Sequence, residues 1–281
     1  MTASTTHERL ETAALTVAGS DSCGGAGIQA DLATFAAHRV HGASAVTALT
    51  AQNTLGVTAV EAVPPAMVAA QIAAVLEDLP VRAAKTGMLP DAAVVRAVDA
   101  AWEGAGARAP RLVVDPVLVA TSGAALAAGD TLPALRALMA RAALVTPNLA
   151  EAGALTGIDV RSIDDARAAG RRLLETGCGA VLVKGGHGEE AMLSDLLLHA
   201  GGERVFRHAA RPGRYHGTGC TLAAAVTAHL ALGAGLETAV ERAIAYVQGA
   251  MAAGRLPRAG ELVLLGHAAA AEGAGVSPGA R

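Results

Sequence analysis

The sequence predicts a single-domain, three-layer α/β sandwich, in which a mostly parallel central sheet carries helices on both faces. Short apolar runs alternate with longer stretches of helical periodicity along nearly the whole chain, and this alternation is typical of a parallel sheet. Hydrophobic residues make up 52% of the 281 residues, which is ample for a large core. No linker or internal repeat divides the chain, so we expect one domain at 12–266 with flexible tails at 1–11 and 267–281.

The predicted strands are short apolar runs that end at a glycine, a proline or a polar residue. They cover 13–18, 43–50, 81–85, 111–117, 143–146 and 180–184, and 191–207 is predicted to form a β-hairpin. The predicted helices place apolar residues three or four positions apart. They cover 28–38, 64–79, 91–103, 131–140, 164–176, 221–232 and 236–253. Because a helix lies between each pair of successive strands, the strands before the hairpin are expected to be parallel.

Charged and amide side chains lie where the predicted strands end. They are Gln52, Lys85, Asp115, Asn148, Glu151 and Lys184. Ligands of open parallel sheets bind beyond the carboxyl ends of the strands, so these side chains are expected to converge, and their convergence indicates an enzyme. The lysines are notable because they are the only two among 22 basic residues, and a compact ammonium differs chemically from a guanidinium.

A glycine-rich loop before the helix at 221–232 predicts a site for an anion. Gly217, Thr218, Gly219 and Cys220 come directly before that helix. The first turn of a helix has free backbone N–H groups and a favourable dipole, and glycines let the backbone approach a bulky group closely. The motif alone leaves open the alternative of a plain turn before a buried helix.

A second glycine-rich loop follows the first strand, at 20–27. Gly25 to Ala30 formally match the dinucleotide fingerprint in its G-x-G-x-x-A form. That fingerprint requires an acidic residue at the end of the second strand, where this sequence has Gln52 and Asn53. A dinucleotide oxidoreductase is therefore disfavoured, and the amide of Gln52 suits the donors and acceptors of a small molecule.

Composition and charge exclude several classes of function. The net charge of −3 and the lack of a basic run give no electrostatic case for binding nucleic acid. No stretch of ~20 apolar residues predicts a membrane span, and residues 1–11 lack the apolar segment of a signal peptide. The three cysteines Cys23, Cys178 and Cys220 are few and far apart, which favours a reducing, cytoplasmic setting over a disulfide framework.

An anion site beside acidic residues and lysines fits phosphoryl transfer, which depends on positioning and charge stabilisation. The P-loop motif and the motifs of protein kinases are absent. Six segments in colinear order instead resemble the hydroxymethylpyrimidine/phosphomethylpyrimidine kinases of the ribokinase-like superfamily. They are 18–31, 47–54, 85–89, 146–148, 184–187 and 216–221, and the resemblance covers about residues 13–255.

The resemblance implies a ribokinase-like fold and an activity that requires ATP and Mg²⁺. The substrate would be 4-amino-5-hydroxymethyl-2-methylpyrimidine, then its monophosphate, in thiamine biosynthesis. A homodimer is also implied. Two rivals stay open: a pyridoxal kinase of the same branch, and a pyrimidine-binding module that has lost catalysis. Gln52 and Met88 favour the pyrimidine over pyridoxal, and the intact loop with Asp115 argues against the inactive module.

By the same resemblance, Gly217, Thr218, Gly219 and Cys220 form an anion hole around the transferred phosphate. Cys220 stands where most of the superfamily has a catalytic aspartate, and it would help to activate the substrate hydroxyl. Its place at a helix N-terminus predicts a thiolate. A small buried core residue is the alternative for this cysteine.

The resemblance assigns the substrate pocket to Gln52, Gly19, Ala26, Asp31, Met88 and Val117. Gln52 would pair with the ring nitrogen and amino group of the pyrimidine, while Asp31 and Met88 could also be ordinary helix and core residues.

Lys184, Asn148, Thr218 and Asp115 would bind ATP, and Asp115 with Glu151 would hold Mg²⁺ and its waters. Lys85 is either a site residue or part of a strand-end salt bridge, and His187, His216 and Cys178 are interpreted as structural. Two departures from the family pattern are Ala150, in place of a proline, and Cys23, at a position often held by serine.

Overall fold

A computed structural model describes residues 8–118, 130–185 and 191–273 of the chain. The strands are β1 (Ala13–Asp21), β2 (His41–Asn53), β3 (Gly56–Ala62), β4 (Val81–Thr86), β5 (Arg111–Val114), β6 (Leu144–Val145), β7 (Ala180–Val183), β8 (Met192–His199), β9 (Gly202–Ala209), β10 (Arg214–His216) and β11 (Leu262–Leu264). The helices are α1 (Gly27–Ala37), α2 (Pro65–Asp78), α3 (Ala92–Ala105), α4 (Thr131–Met139), α5 (Leu149–Thr156), α6 (Ile163–Leu174), α7 (Thr218–Ala231), α8 (Leu236–Ala252) and α9 (His267–Gly273).

Nine strands form one sheet in the order β3-β2-β1-β4-β5-β6-β7-β8-β9. Every neighbouring pair from β2 to β7 is parallel. At one edge β3 pairs antiparallel with β2, and at the other edge β8 pairs antiparallel with both β7 and β9. The chain starts at β1, adds β2 and β3 on one side, and then crosses to β4 on the other side. The predicted α/β fold with a mostly parallel sheet is confirmed, and its topological switch point lies between β1 and β4.

Two apolar cores lie on opposite faces of the sheet and give the three layers. The first core is formed by the sheet with α2, α3, α4, α5 and α6. The second core is formed by the other face of the sheet with α1, α7, α8 and α9. Helix α7 is buried along nearly its whole length, and its alanines let it pack closely against β4 and β5. This packing places the N-terminus of α7 at the carboxyl edge of the parallel strands.

Some elements were not predicted because they lack the burial that creates a sequence pattern. Strand β3 is exposed over most of its length at the edge of the sheet, so its residues do not alternate between apolar and polar. Strands β10 and β11 pair in parallel over only three residues each. Helix α5 has eight residues, and its start is marked by a capping box between Asn148 and Glu151.

The structure corrects the predicted C-terminal tail. Residues 267–273 form α9, which packs against α8 and α1 and buries Ala270. The alanines that suggested a tail are strong helix formers, and burial on α8 stabilises them in a helix. The proposed domain therefore extends past 266, while 274–281 and 1–7 lie outside the described residues. None of the described helices combines the length and the apolar composition needed to cross a membrane.

Candidate active site

The site is built where α7 begins, above the carboxyl ends of the parallel strands. Gly217 caps α7 with φ at 80° in the left-handed region, and a β-carbon there would overlap the carbonyl oxygen of Gly25. The two glycine-rich loops are therefore in direct contact, and only glycine fits at this point. Among the described residues no side chain caps α7. The N–H groups of Thr218, Gly219 and Cys220 are consequently available to an anion.

Lys184 and Asp115 border this loop on one side. The Lys184 Nζ lies 2.9 Å from Asp115 Oδ1, and the hydroxyl of Thr146 donates to the same oxygen at 3.1 Å. A β-carbon at Gly219 would lie 3.2 Å from the Lys184 Nζ and 3.8 Å from Asp115 Oδ2. The absence of a side chain at Gly219 thus leaves room for a group between the loop, the ammonium and the carboxylate. This is the geometry that a phosphate requires.

Glu151 lies next to this group, on the first turn of α5. Its Oε2 accepts the N–H of Asn148 at 2.8 Å, and Asn148 Oδ1 accepts the N–H of Glu151 at 2.8 Å. Burial raises the pKa of Glu151 to about 7, with the charge of Asp115 adding to the rise and that of Lys184 opposing it. The carboxylates of Asp115 and Glu151 are both buried and have only the ammonium of Lys184 to balance their charge. Oxygen ligands with net negative charge fit Mg²⁺. Asn148 acts here through its capping bonds, and its backbone pairs with Lys184.

Several predicted substrate residues meet at the ends of β1, β2 and β4. A β-carbon at Gly19 would lie 3.1 Å from the sulfur of Met88, and the hydroxyl of Thr47 donates to the Met88 carbonyl at 2.7 Å. The N–H of Ala26 donates to Asp21 Oδ2 at 2.8 Å. Val117 lies apart from this group, beyond β5, where its N–H donates to the Asp115 carbonyl at 2.9 Å. Val117 therefore borders the side of the site where Asp115 lies.

His216 and Asp21 belong to the site although the sequence did not identify them. His216 Nε2 lies 2.9 Å from Asp21 Oδ2 and 3.2 Å from the amide nitrogen of Gln52. Burial alone would raise the pKa of Asp21, but hydrogen bonds from His216 and Cys23 bring it below its usual value. His216 thereby links the end of β1, the end of β2 and the start of the anion loop. Both residues end a strand, which is the criterion that identified Gln52.

The structure places Asp31, a predicted substrate residue, in a buried ion pair with Lys85. Asp31 and Lys85 are both 0% exposed. The two oxygens of Asp31 lie 3.1 and 3.0 Å from the Lys85 Nζ, and the Thr16 hydroxyl donates at 2.6 Å. The alternative of a salt bridge for Lys85 is confirmed.

The structure corrects the prediction that the thiol of Cys220 is a thiolate. Burial raises the pKa of Cys220 to about 11, although Lys85 lowers it, and Asp31 and Asp115 add to the rise. The free protein therefore carries a neutral thiol at neutral pH. Cys23 is half-buried, and burial raises the pKa of its thiol to about 11 as well. Cys178 lies in the first core, and His187 lies outside the described residues.

Comparisons with known proteins show which family the chain belongs to. A family model described as phosphomethylpyrimidine kinase matches residues 21–262. A hydroxymethylpyrimidine/phosphomethylpyrimidine kinase of Rhizobium meliloti (strain 1021) is 50% identical over 250 residues, and the match covers 85% of this chain and 90% of that protein.

Two solved structures extend the comparison to the fold. The phosphomethylpyrimidine kinase of Clostridium difficile 630 is 39% identical with a TM-score of 0.75, covering 85% of this chain and 99% of that one. The pyridoxal kinase of Staphylococcus aureus, in complex with AMP-PCP and pyridoxal, is 31% identical with a TM-score of 0.81, covering 92% and 94%. The chain belongs to the phosphomethylpyrimidine kinase family.

Proposed function

We propose that this protein transfers a phosphate from ATP to 4-amino-5-hydroxymethyl-2-methylpyrimidine, and then a second phosphate to the resulting monophosphate, in thiamine biosynthesis. One observation carries the proposal: the anion loop at the start of α7 has Lys184 and Asp115 on one side and the Gln52–His216 contact on the other. A phosphate donor and a small polar ring can therefore meet at Gly217–Cys220. Membership of the family supports this activity.

On the donor side, the charges of this chain are arranged to bind phosphates. The N–H groups of the first turn of α7 and the ammonium of Lys184 would bind the oxygens of the transferred group. Asp115 and Glu151 would hold Mg²⁺, which neutralises phosphate charge when it is bound. Asp115 also fixes Lys184, because the two form an ion pair of 2.9 Å.

On the acceptor side, both polar and apolar residues would contact the substrate ring. The Gln52 amide offers both a donor and an acceptor to a pyrimidine edge, and its nitrogen lies 3.2 Å from His216 Nε2. Met88 packs against Gly19 and provides an apolar wall for the ring. Cys220 brings its thiol to the place where the loop and the acceptor meet.

The neutral thiol limits what Cys220 does in the transfer. With a pKa of about 11, it is not a preformed base in the free protein. Phosphoryl transfer through a loose transition state needs little removal of the hydroxyl proton before the bond to the leaving group breaks. We therefore assign Cys220 to shaping the anion hole and orienting the acceptor hydroxyl.

A second candidate function is the phosphorylation of pyridoxal. The likeness to a pyridoxal kinase in complex with pyridoxal favours it. The presence of both Gln52 and Met88 favours the pyrimidine as substrate. The amide of Gln52 can match a ring nitrogen and an adjacent amino group together.

We also propose that the protein is a cytoplasmic homodimer. All three cysteines are free, which suits a reducing compartment. Leu49, Leu55 and Val60 of the β2–β3 region are 54%, 69% and 45% exposed, and a partner subunit would bury them. Light scattering coupled to gel filtration tests the oligomeric state, and a monomer at micromolar concentration would contradict this proposal.

A coupled assay of ADP release tests the proposed activity. The pyrimidine alcohol, pyridoxal and pyridoxamine are compared side by side, with and without Mg²⁺. We expect Mg²⁺-dependent release of ADP that is fastest with the pyrimidine alcohol. Equal or faster turnover of pyridoxal would overturn the proposed specificity, and no turnover of any of the three would overturn the activity.

A further inference from the structure

A chain of hydrogen bonds joins the helix layer to the residue that follows Lys184. The Nε of Arg211 donates to Gln248 Oε1 at 3.0 Å, and Gln248 Nε2 lies 3.1 Å from His208 Nδ1. His208 Nε2 in turn lies 3.0 Å from Asp195 Oδ2. The other oxygen, Asp195 Oδ1, accepts the N–H of Gly185 at 2.8 Å. The side chains of this hydrogen-bond chain have no role in the mechanism derived so far.

The two ends of the hydrogen-bond chain fix the direction of every bond in it. A guanidinium only donates, so the Gln248 amide turns its oxygen to Arg211 and its NH₂ group to His208. Nδ1 of His208 is therefore an acceptor, and Nε2 carries the proton that is donated to Asp195. A carboxylate only accepts, and Asp195 has one oxygen for this donor and one for the Gly185 N–H. The bonds thus hold the carboxylate in one orientation.

Asp195 lies in an apolar part of the sheet. It is 4% exposed, and Leu196, Leu197 and Leu198, which follow it on β8, are at most 3% exposed. A carboxylate in such surroundings costs free energy unless hydrogen bonds satisfy it, and an apolar side chain would avoid that cost. Stability alone therefore does not account for a carboxylate at this position, and its bond to Gly185 indicates a different role.

The backbone at Lys184 is held from two sides. Its N–H donates to the Pro147 carbonyl at 2.8 Å, directly after β6. On the other side, the next residue is held by Asp195, and a β-carbon at Gly185 would overlap the carbonyl oxygen of Ser194. The direction in which the Lys184 side chain leaves the strand depends on both contacts.

The hydrogen-bond chain also joins the two parts of the proposed phosphate site. Gln248 belongs to α8, which packs against α7, the helix that begins at the anion loop. Lys184 provides the ammonium beside that loop, where a β-carbon at Gly219 would lie 3.2 Å from its Nζ. The spacing between the ammonium and the N–H groups of the loop therefore depends on how α8 is joined to the end of β7.

We propose that Asp195 is a positioning residue for the phosphate donor, which through the N–H of Gly185 fixes the backbone from which Lys184 reaches the phosphates of ATP. His208 and Gln248 hold the carboxylate in the orientation that this requires. The role rests on the proposed kinase function and deepens it, because Lys184 is a proposed ligand of the phosphates. It concerns the nucleotide and not the pyrimidine, so the loss of Asp195 should weaken the binding of one ligand selectively.

Calorimetric titrations with ATP and Mg²⁺, and separately with the pyrimidine alcohol, measure this selectivity. In Asp195→Ala the Gly185 N–H loses its acceptor. We expect the Kd for ATP to rise about tenfold, while the Kd for the pyrimidine alcohol changes less than about twofold. General loosening of the fold would weaken the binding of both ligands. Equal weakening of both, or wild-type affinity for ATP, would overturn the proposal.

His199 provides a matched control for the imidazole of His208. His199 Nε2 lies 3.3 Å from Glu237 Oε1, so this imidazole also joins β8 to α8. It lies opposite Ala180, where β7 begins, and so at the other edge of the sheet. We expect His208→Leu to raise the Kd for ATP about fivefold and His199→Leu to leave it within about twofold of the wild type. An equal rise in the two variants would contradict the proposed role.

A double-mutant cycle tests whether His208 acts through Asp195. If it does, Asp195→Ala/His208→Leu binds ATP as weakly as Asp195→Ala alone, because the same bond to Gly185 is lost in both. Effects of the two substitutions that multiply would rule out this dependence and overturn the proposal. His208→Gln keeps an N–H donor of similar reach, and we expect its Kd for ATP to stay within about twofold of the wild type.

An apolar pair keeps the proposal testable if Asp195→Ala fails to fold. Asp195→Leu/His208→Leu suits the apolar surroundings of β8 and leaves no unpaired carboxylate or imidazole, and we expect it to fold and to bind ATP about tenfold more weakly. Wild-type affinity for ATP in this folded variant would overturn the proposal. Absence of pyrimidine phosphorylation in the wild type would overturn the proposed function, while the ATP titrations would still decide the role of Asp195.

Discussion

The charges of two lysines and two aspartates act on the pKa of the Cys220 thiol together with desolvation. A helix N-terminus is worth about 0.3–1 kcal/mol to a nearby negative charge, which is less than one pKa unit. Burial shifts a pKa by several units when a charged group loses its water. Desolvation therefore outweighs the helix dipole at this position, and the thiol stays protonated.

Replacement of this thiol tests its role in the transfer. We expect Cys220→Ala to lower kcat by about 100-fold with a change of less than about threefold in the KM for ATP, because the donor site keeps all its charges. Cys220→Ser is the matched control, since it keeps the size and a polar hydrogen, and it should retain more activity than the alanine variant. An unchanged kcat in Cys220→Ala would make this cysteine a packing residue.

Glu151 makes stability depend on pH in a direction that follows from its raised pKa. Its folded-state pKa of about 7 lies above the ordinary value of 4.5, so its contribution favours the fold at low pH. That contribution is complete below about 4.5 and is lost as the pH rises through about 7. Ionised Glu151 and Asp115 then repel each other, and Mg²⁺ held by these carboxylates would relieve this repulsion.

Thermal unfolding of wild type and Glu151→Gln at pH 5 and pH 8 tests this prediction. We expect the wild type to lose stability relative to the variant at pH 8, because the amide does not ionise. Added Mg²⁺ should raise the wild-type Tm more at pH 8 than at pH 5, and it should have little effect on Glu151→Gln. A difference between the two proteins that is the same at both pH values would contradict the raised pKa.

At the scale of elements, the start of α7 depends on the contact between two loops. Gly217 needs the left-handed region, and its α-carbon faces the carbonyl of Gly25. We expect Gly217→Ala to destabilise the protein by more than about 2 kcal/mol, because the left-handed conformation costs 1–2 kcal/mol and the overlap adds to it. Chemical denaturation measures this change.

The matched control for that variant is the start of the neighbouring helix α8. Gly235 precedes α8 with φ at −66°, and a β-carbon there would have no atom within 4 Å. We expect Gly235→Ala to change stability by less than about 0.5 kcal/mol. Equal losses in the two variants would show that the loop contact at Gly217 has no special importance.

Most strands and helices were predictable because burial imposes a periodic pattern on their residues. The pattern fails for β3, which is exposed, and for α9, whose alanines are equally compatible with a tail. Polar residues at strand ends also marked much of the site, including Gln52 and Lys184, since the carboxyl edge of a parallel sheet is one place in space.

The sequence could not predict which polar groups pair with each other. Lys85 and Asp31 are 54 positions apart, and His216 and Asp21 are 195 positions apart. Such pairs depend on how elements far apart in the chain are stacked. The raised pKa of the Cys220 thiol was missed for the same reason, because Lys85, Asp31 and Asp115, which are far away in the sequence, act on it together with desolvation.

At the scale of the whole molecule, the strand order explains why one site can serve two reactants. The chain crosses between β1 and β4, so the ends of β1, β2 and β4 carry the acceptor residues. The ends of β5, β6 and β7 carry Asp115, Glu151 and Lys184. Helix α7 starts above the middle of the carboxyl edge of the sheet. The loop at its start lies where the acceptor residues and the donor residues meet.

Analysis of the reaction products by mass spectrometry tests the central claim most directly. The protein is incubated with limiting pyrimidine alcohol, excess ATP and Mg²⁺, and a parallel reaction contains pyridoxal. We predict that the pyrimidine monophosphate appears first and is then converted to the diphosphate, with little phosphorylated pyridoxal. Accumulation of phosphorylated pyridoxal with no phosphorylated pyrimidine would contradict the account.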